Sequence, residues 1–221
     1  MENDKKYYFI IGGEKIEAPN GLIVKNYEDD LEPKFKSKKF KEPPKWFILH
    51  ETAGRTARGC KETLKRRKLG IHFIVDRDGI ISQHADPYID RVPHAKQMSD
   101  YSIGVEFVNP YAPKIAKGMP YKTIPARWWT WIADKNDKSY VLPTDKQLKT
   151  LELLVPFICE QVNIPYEFPT AHLNGEKNNN KVKRIGWRMK RIPQAPGVIA
   201  HQDTSNHADG RYLLEYLINK K

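Results

Sequence analysis

Two short apolar runs that each finish in a histidine, Trp46-Phe47-Ile48-Leu49-His50 and Val198-Ile199-Ala200-His201, constrain this chain more than any other feature. An unbroken apolar run of this length, without the alternation of a half-wet strand, suits a strand covered on both faces. Such strands belong to α/β sheets, where sites gather at the carboxyl ends of the strands. The two imidazoles are therefore expected at one end of one sheet.

The remaining sequence supports that class. Tyr7 to Ile11, Gly12-Gly13 and Glu14 to Ala18 read as a hairpin, because a Gly-Gly pair supplies the positive φ angles of a two-residue turn. A polar, Lys-rich stretch up to Pro43-Pro44 reads as a surface connector, and the core is expected to start after it. Beyond Trp46 come a basic helix over Arg58 to Leu69 and a second hairpin from His72 to Val75 and Ile80 to Gln83. Ser102 to Val108 alternates as a strand, with Ser102, Gly104 and Glu106 on one face. Thr144 with Gln147 forms a capping box for a helix ending near Val162, and Arg211 to Ile218 is a final helix. The class is α/β, with insertions near 109–143 and 170–196.

A chain of 221 residues suits one domain with elaborations. The formal charge of +11 favours a polyanionic partner, and a basic segment from Lys177 to Arg191 concentrates it. Attachment to an anionic cell-wall surface is one expectation and nucleic-acid binding the competing one, although no nucleic-acid motif accompanies the charge. Cys60 and Cys159 lie too far apart in sequence for a cysteine-built zinc site and read as free thiols. The apolar run after Lys5-Lys6 is short for a signal peptide and no stretch is long enough to span a membrane, so synthesis in a cytosol and action after lysis or other release are expected.

Two histidines on converging strands invite a third ligand. The polar loop after His201 offers His207 and Asp209, either able to complete a three-ligand zinc site that leaves one position for water. Glu106, beside Gly104 with room for substrate, has the chemistry of a general base. Tyr111, Tyr121, Trp128, Trp129, Trp131 and Tyr140 in the first insertion are read as local packing.

In order along the chain, Phe47 to Ala53, Ile71 to Gly79, His94-Ala95, Ser102 to Glu106, the helix from Thr144 and His201 to Gly210 resemble the type-2 N-acetylmuramoyl-L-alanine amidases, which include phage endolysins and are related to peptidoglycan recognition proteins. The resemblance spans about Trp46 to Leu217 and implies a mixed central β-sheet flanked by helices, a single amidase domain over 46–221 behind an N-terminal extension over 1–45. It implies zinc held by His50, His201 and Asp209, a catalytic Glu106, and His207 in the place of a lysine donor. His72 and His94 match positions near the cleft, as substrate contacts or scaffold. Three departures stand out: Ile71 where some members carry a tyrosine, His207 for lysine, and no proline after the third ligand. The implied activity is cleavage of the amide between N-acetylmuramic acid and L-alanine in peptidoglycan; separately, a monomer is expected. A non-catalytic peptidoglycan-binding module is the alternative.

Overall fold

The computed structural model describes residues 5–30, 32–125, 139–170, 195–204 and 209–221. In chain order the strands are β1 (Tyr8–Ile11), β2 (Glu14–Glu17), β3 (Val24–Lys25), β4 (Lys38–Lys39), β5 (Trp46–Thr52), β6 (Phe73–Val75), β7 (Ile81–Gln83), β8 (Asp90–Arg91), β9 (Ser102–Val108), β10 (Thr123–Pro125), β11 (Ser139–Val141) and β12 (Gly197–Ala200). The α-helices are α1 (Ala57–Arg66), α2 (Pro113–Ala116), α3 (Asp145–Gln161), α4 (His201–Thr204) and α5 (Arg211–Ile218).

Six strands form the central sheet in the order β12-β5-β9-β6-β7-β3. Neighbours run parallel except β6 and β7, whose tight turn at Gly79 requires an antiparallel pair, so the sheet is mixed. Phe47, Leu49, Ile103, Val105 and Phe107 pack on one face against Leu151, Leu154 and Ile158 of α3 and Leu213, Leu214 and Leu217 of α5. Each fully buried side chain of this size contributes about 1.5–3 kcal/mol of transfer free energy. The capping box starts α3: Thr144 Oγ1 accepts from the Gln147 amide, and the Gln147 side chain accepts from the Thr144 amide.

The other face carries Trp46, Ile48 and Ile199 against Ala95 and Met98, with Ile71 and Ile74 packed against Cys60 and Leu64 of α1. Because side chains alternate along β5, His50 belongs to this second face, away from α3 and α5. That places the site on the α1 side of the sheet.

The N-terminal hairpin forms as read, with Gly12 and Gly13 at φ +65° and +82° and Ile11 opposite Glu14. The boundary of the core differs from the sequence expectation. Phe9, Ile11, Leu22 and Val24 are buried in the main core, Phe35 is buried in the cluster under α1, and β3 closes the sheet edge against β7. Phe35 stands alone among charged residues and the two-residue β3 is too short to show a period, so the stretch before Pro43 reads as surface. No helix among the described residues is long and apolar enough to cross a membrane.

Candidate metal centre

The sheet register assembles the site. His50 lies directly opposite Glu106 across β5 and β9, while Ala200 at the end of β12 pairs with Leu49, so His201, the first residue of α4, follows one step beyond. Neighbouring strands are about 4.8 Å apart, and residues in register share a face. Three chemistry-bearing residues thus fall in one row toward the carboxyl ends of three parallel strands. Asp209 returns to the row at the start of α5, and candidate ligand atoms of His50, His201 and Asp209 all lie within 4.8 Å of one another. All three are buried.

The hydrogen bonds assign the tautomers. His94 Nε2 meets the Ser102 carbonyl at 3.1 Å and must carry a proton, leaving His94 Nδ1 as an acceptor. His50 Nε2, 3.1 Å from that acceptor, therefore carries the other proton. His50 Nδ1 is thereby turned toward the Asp209 Oδ2, 3.6 Å away, where in the neutral ring it presents a lone pair and in the protonated ring a donor. Two acceptors facing each other require a cation or a proton between them. His201 Nδ1 stands 3.1 Å from both Asp209 oxygens. Burial would raise the Asp209 carboxyl, but the charges and hydrogen bonds of His201 and His50 outweigh it and hold the group below the carboxylate range. Two imidazole nitrogens and a carboxylate around one buried point fit a divalent metal such as zinc.

A second set of bonds fixes Asp209 and Gly210 at the start of α5. The Glu51 amide donates to Asp209 Oδ2 at 3.3 Å, and Glu51 Oε2 accepts from the Gly210 amide at 3.0 Å. Glu51 Oε1 accepts from Asn109 Nδ2 at 2.9 Å and from the Tyr140 hydroxyl. Burial raises the Glu51 carboxyl even so. Gly210 holds φ +83°, and a Cβ there would sit 1.9 Å from the Leu49 carbonyl oxygen. Gly210→Ala is therefore expected to cost about 1–3 kcal/mol or more of stability and to weaken metal binding, as measured by urea unfolding and metal titration. Unchanged values in both would show that the loop has freedom that this contact denies it.

Glu106 stands beside the ligands with Oε2 sealed from solvent and without a hydrogen-bond partner among the described residues. Burial, followed by the negative charges of Asp209 and Glu51, pushes its carboxyl well above the usual range. The space beside Gly104 is filled by the His94 ring and Ile71, whose atoms would lie 2.7 Å from an added Cβ, so that glycine makes room for scaffold and not for substrate. His50, Glu106, His201 and Asp209 line a cleft of about 630 Å³, together with His94 and Tyr111. Burial, followed by the charges of Asp209, Glu51 and Glu106, pushes the Tyr111 hydroxyl up to about 12, so it enters the cleft as a donor.

His72 has a different place. It is fully buried, its Nδ1 accepts from the Gly104 amide at 3.1 Å and its Nε2 donates to the Asp90 carbonyl at 2.8 Å. Burial lowers its pKa to about 4, so it stays neutral in that bridge, the geometry of a scaffold. His207, Trp128, Trp129, Trp131 and the basic segment Lys177 to Arg191 lie outside the described residues. Glu51 and Asn109 escaped the sequence reading, as did the roles of Tyr140 and Tyr111. The available signal was a carboxylate directly after His50, inside a strand that needs cover on both faces.

Parallel strands that gather two imidazoles and two carboxylic side chains under one cleft define an α/β protein with a group of side chains able to hold a metal ion. The chain belongs to the N-acetylmuramoyl-L-alanine amidase family (Amidase_2), whose sequence profile matches residues 40–211. Its fold is similar to that of the endolysin amidase LysCS from Clostridium intestinale URNW, at 14% identity and a TM-score of 0.51, covering 91% of this chain and 97% of that one. The amidase LysC of the same organism gives 14% identity, a TM-score of 0.50, and coverage of 90% and 97%. Drosophila peptidoglycan recognition protein SD gives 13%, a TM-score of 0.50, and coverage of 90% and 95%. No curated protein matches the chain by sequence. Membership makes it a peptidoglycan amidase or peptidoglycan-binding protein.

Proposed function

We propose that this chain is a zinc-dependent hydrolase that cuts the amide between the lactyl group of N-acetylmuramic acid and L-alanine, acting on the cell wall. The observation that carries this reading is the convergence of His50 Nδ1, His201 and Asp209 on one buried point, with Glu106 beside it, its Oε2 lacking a hydrogen bond among the described residues. His50, His201 and Asp209 would hold the metal. Zinc, when bound there, polarises the scissile carbonyl and makes water acidic enough to attack at neutral pH.

Glu106 takes the proton of the attacking water and passes it to the leaving amine of L-alanine, for which a carboxyl raised by burial is suited. The Tyr111 hydroxyl, and His207 from the loop before Asp209, supply donors to the developing oxyanion. His94 holds the His50 ring in the tautomer that turns Nδ1 to the ligand point. A binding module without catalysis is the second reading. The sealed Oε2 of the half-buried Glu106, left without a hydrogen bond among the described residues, carries a desolvation penalty that mere binding does not require, which favours hydrolysis.

Metal analysis with mass spectrometry of digested peptidoglycan tests the proposal. About one zinc per chain is expected, with products that carry a free L-alanine amine and loss of cleavage after chelation. Cleavage that persists after verified removal of metal would overturn it.

A further inference from the structure

A second groove, of about 550 Å³, adjoins the catalytic cleft and shares Leu69 and Pro93 with it. Its charged lining is Lys34, Lys36, Lys38, Lys65, Lys68 and Arg91, with no acidic side chain among the lining residues. Lys34 pairs with Asp90 at 2.8 Å and Arg91 with Asp100 at 2.8 Å. Lys36, Lys38, Lys65 and Lys68 are exposed and make no ion pair among the described residues. Two segments far apart in sequence, the stretch before β4 and the end of α1, thus bring four uncompensated ammonium groups around one trough. Its floor is apolar, formed by Phe35, Leu69 and Pro93.

Helix-end electrostatics account for part of this. Lys65 lies in the last turn of α1, where a cation meets free carbonyls. Lys36 and Lys38 lie on another segment and gain nothing from that helix. Lys68 holds φ +56°, a left-handed conformation that favours glycine or asparagine, and yet a lysine stands there.

We infer that this groove binds an anionic phosphodiester polymer of the cell wall and thereby holds the catalytic cleft against its substrate. Charge count and chemistry select the ligand class. Four unpaired cations exceed the one or two carboxylates of a short peptide, so the occupant carries repeated charges. Arg91, the only guanidinium in the lining, is already committed to Asp100, so the planar fork that reads carboxylates is not on offer. Ammonium groups act as point charges suited to phosphate oxygens. The carbon atoms between phosphates then lie on the Phe35, Leu69 and Pro93 floor. The choice of a wall polymer rests on the peptidoglycan reading above, whereas the anion site itself does not.

The test measures binding of the full chain to soluble poly(glycerol phosphate) at several salt concentrations. One variant changes Lys36, Lys38, Lys65 and Lys68 to Gln. A control of equal charge changes the exposed Lys5, Lys25, Lys146 and Lys149 to Gln. The groove variant is expected to lose at least about tenfold in affinity and to show a shallower salt dependence, by up to about one unit of slope per contact removed. The control is expected to lose less than about threefold. Cleavage of a small soluble muropeptide should be equal in all three proteins. Equal losses in both variants would overturn the groove and leave net charge as the cause. Equally tight binding of poly-glutamate by the unaltered chain would overturn the assignment to phosphodiesters. If no protein cleaves the muropeptide, the amidase reading fails while the binding comparison still decides the groove.

Discussion

Glu106→Gln is expected to lower turnover at least about a hundredfold while zinc content and peptidoglycan binding stay near those of the unaltered chain. The glutamine keeps the shape of the side chain and cannot take a proton, so a general base is the property removed. About 3 kcal/mol of transition-state stabilisation would be lost. The buried carboxyl also predicts a stability effect of opposite direction in the metal-free protein. Burial, with Asp209 and Glu51, raises the folded-state pKa above the ordinary 4.5. A raised pKa means that the folded state favours the protonated form, so its contribution is full below about 4.5 and is lost as pH rises through the folded value. Glu106→Gln should therefore make the metal-free protein more resistant to urea than the unaltered chain at pH 8, with a smaller difference at pH 4. Near-normal turnover would transfer the base role to another group, and a loss of zinc would make Glu106 a ligand.

Asp209→Ala is expected to reduce zinc affinity at least about a hundredfold, since changes behind a ligand already cost ten- to a hundredfold and this one removes the ligand itself. His207→Ala should keep the metal and lower turnover instead. On the Asp209 side the geometry fits a ligand: both carboxylate oxygens stand 3.1 Å from His201 Nδ1, and Oδ2 faces His50 Nδ1. Asp209 is also held by the Glu51 amide, and Gly210 by the Glu51 carboxylate. Zinc content after dialysis against a weak chelator decides the matter. Metal lost from His207→Ala but retained by Asp209→Ala would reverse the assignment.

Much of the fold is legible locally. The Thr144-Gln147 capping box, the Gly12-Gly13 turn and the apolar stripe of α5 each act over a few residues, and the structure shows all three. The candidate site is legible in part for the same reason. Histidines that end apolar runs stand out from their own neighbours, the residues themselves offer Glu106, and the resemblance chooses Asp209 over His207 as the third ligand. Local pattern failed where a residue's role comes from a distant partner. Phe35 sits in a lysine-rich stretch that reads as a connector, yet it is buried under α1.

The sequence by itself determined the element types, the α/β class and the family, because periodicity, caps and ordered motifs are properties of short stretches. Register was decided only by the tertiary structure. Setting His50 opposite Glu106, with His201 one strand away, depends on pairing segments more than fifty residues apart, and no local propensity encodes that alignment. The same holds for the proton order from His50 through His94 to the Ser102 carbonyl, and for Glu51, whose carboxylate gains its purpose from Asn109, Tyr140 and Gly210. A hydrogen bond in a buried site is fixed by where the chain returns, and the return is set by the packing of the whole core.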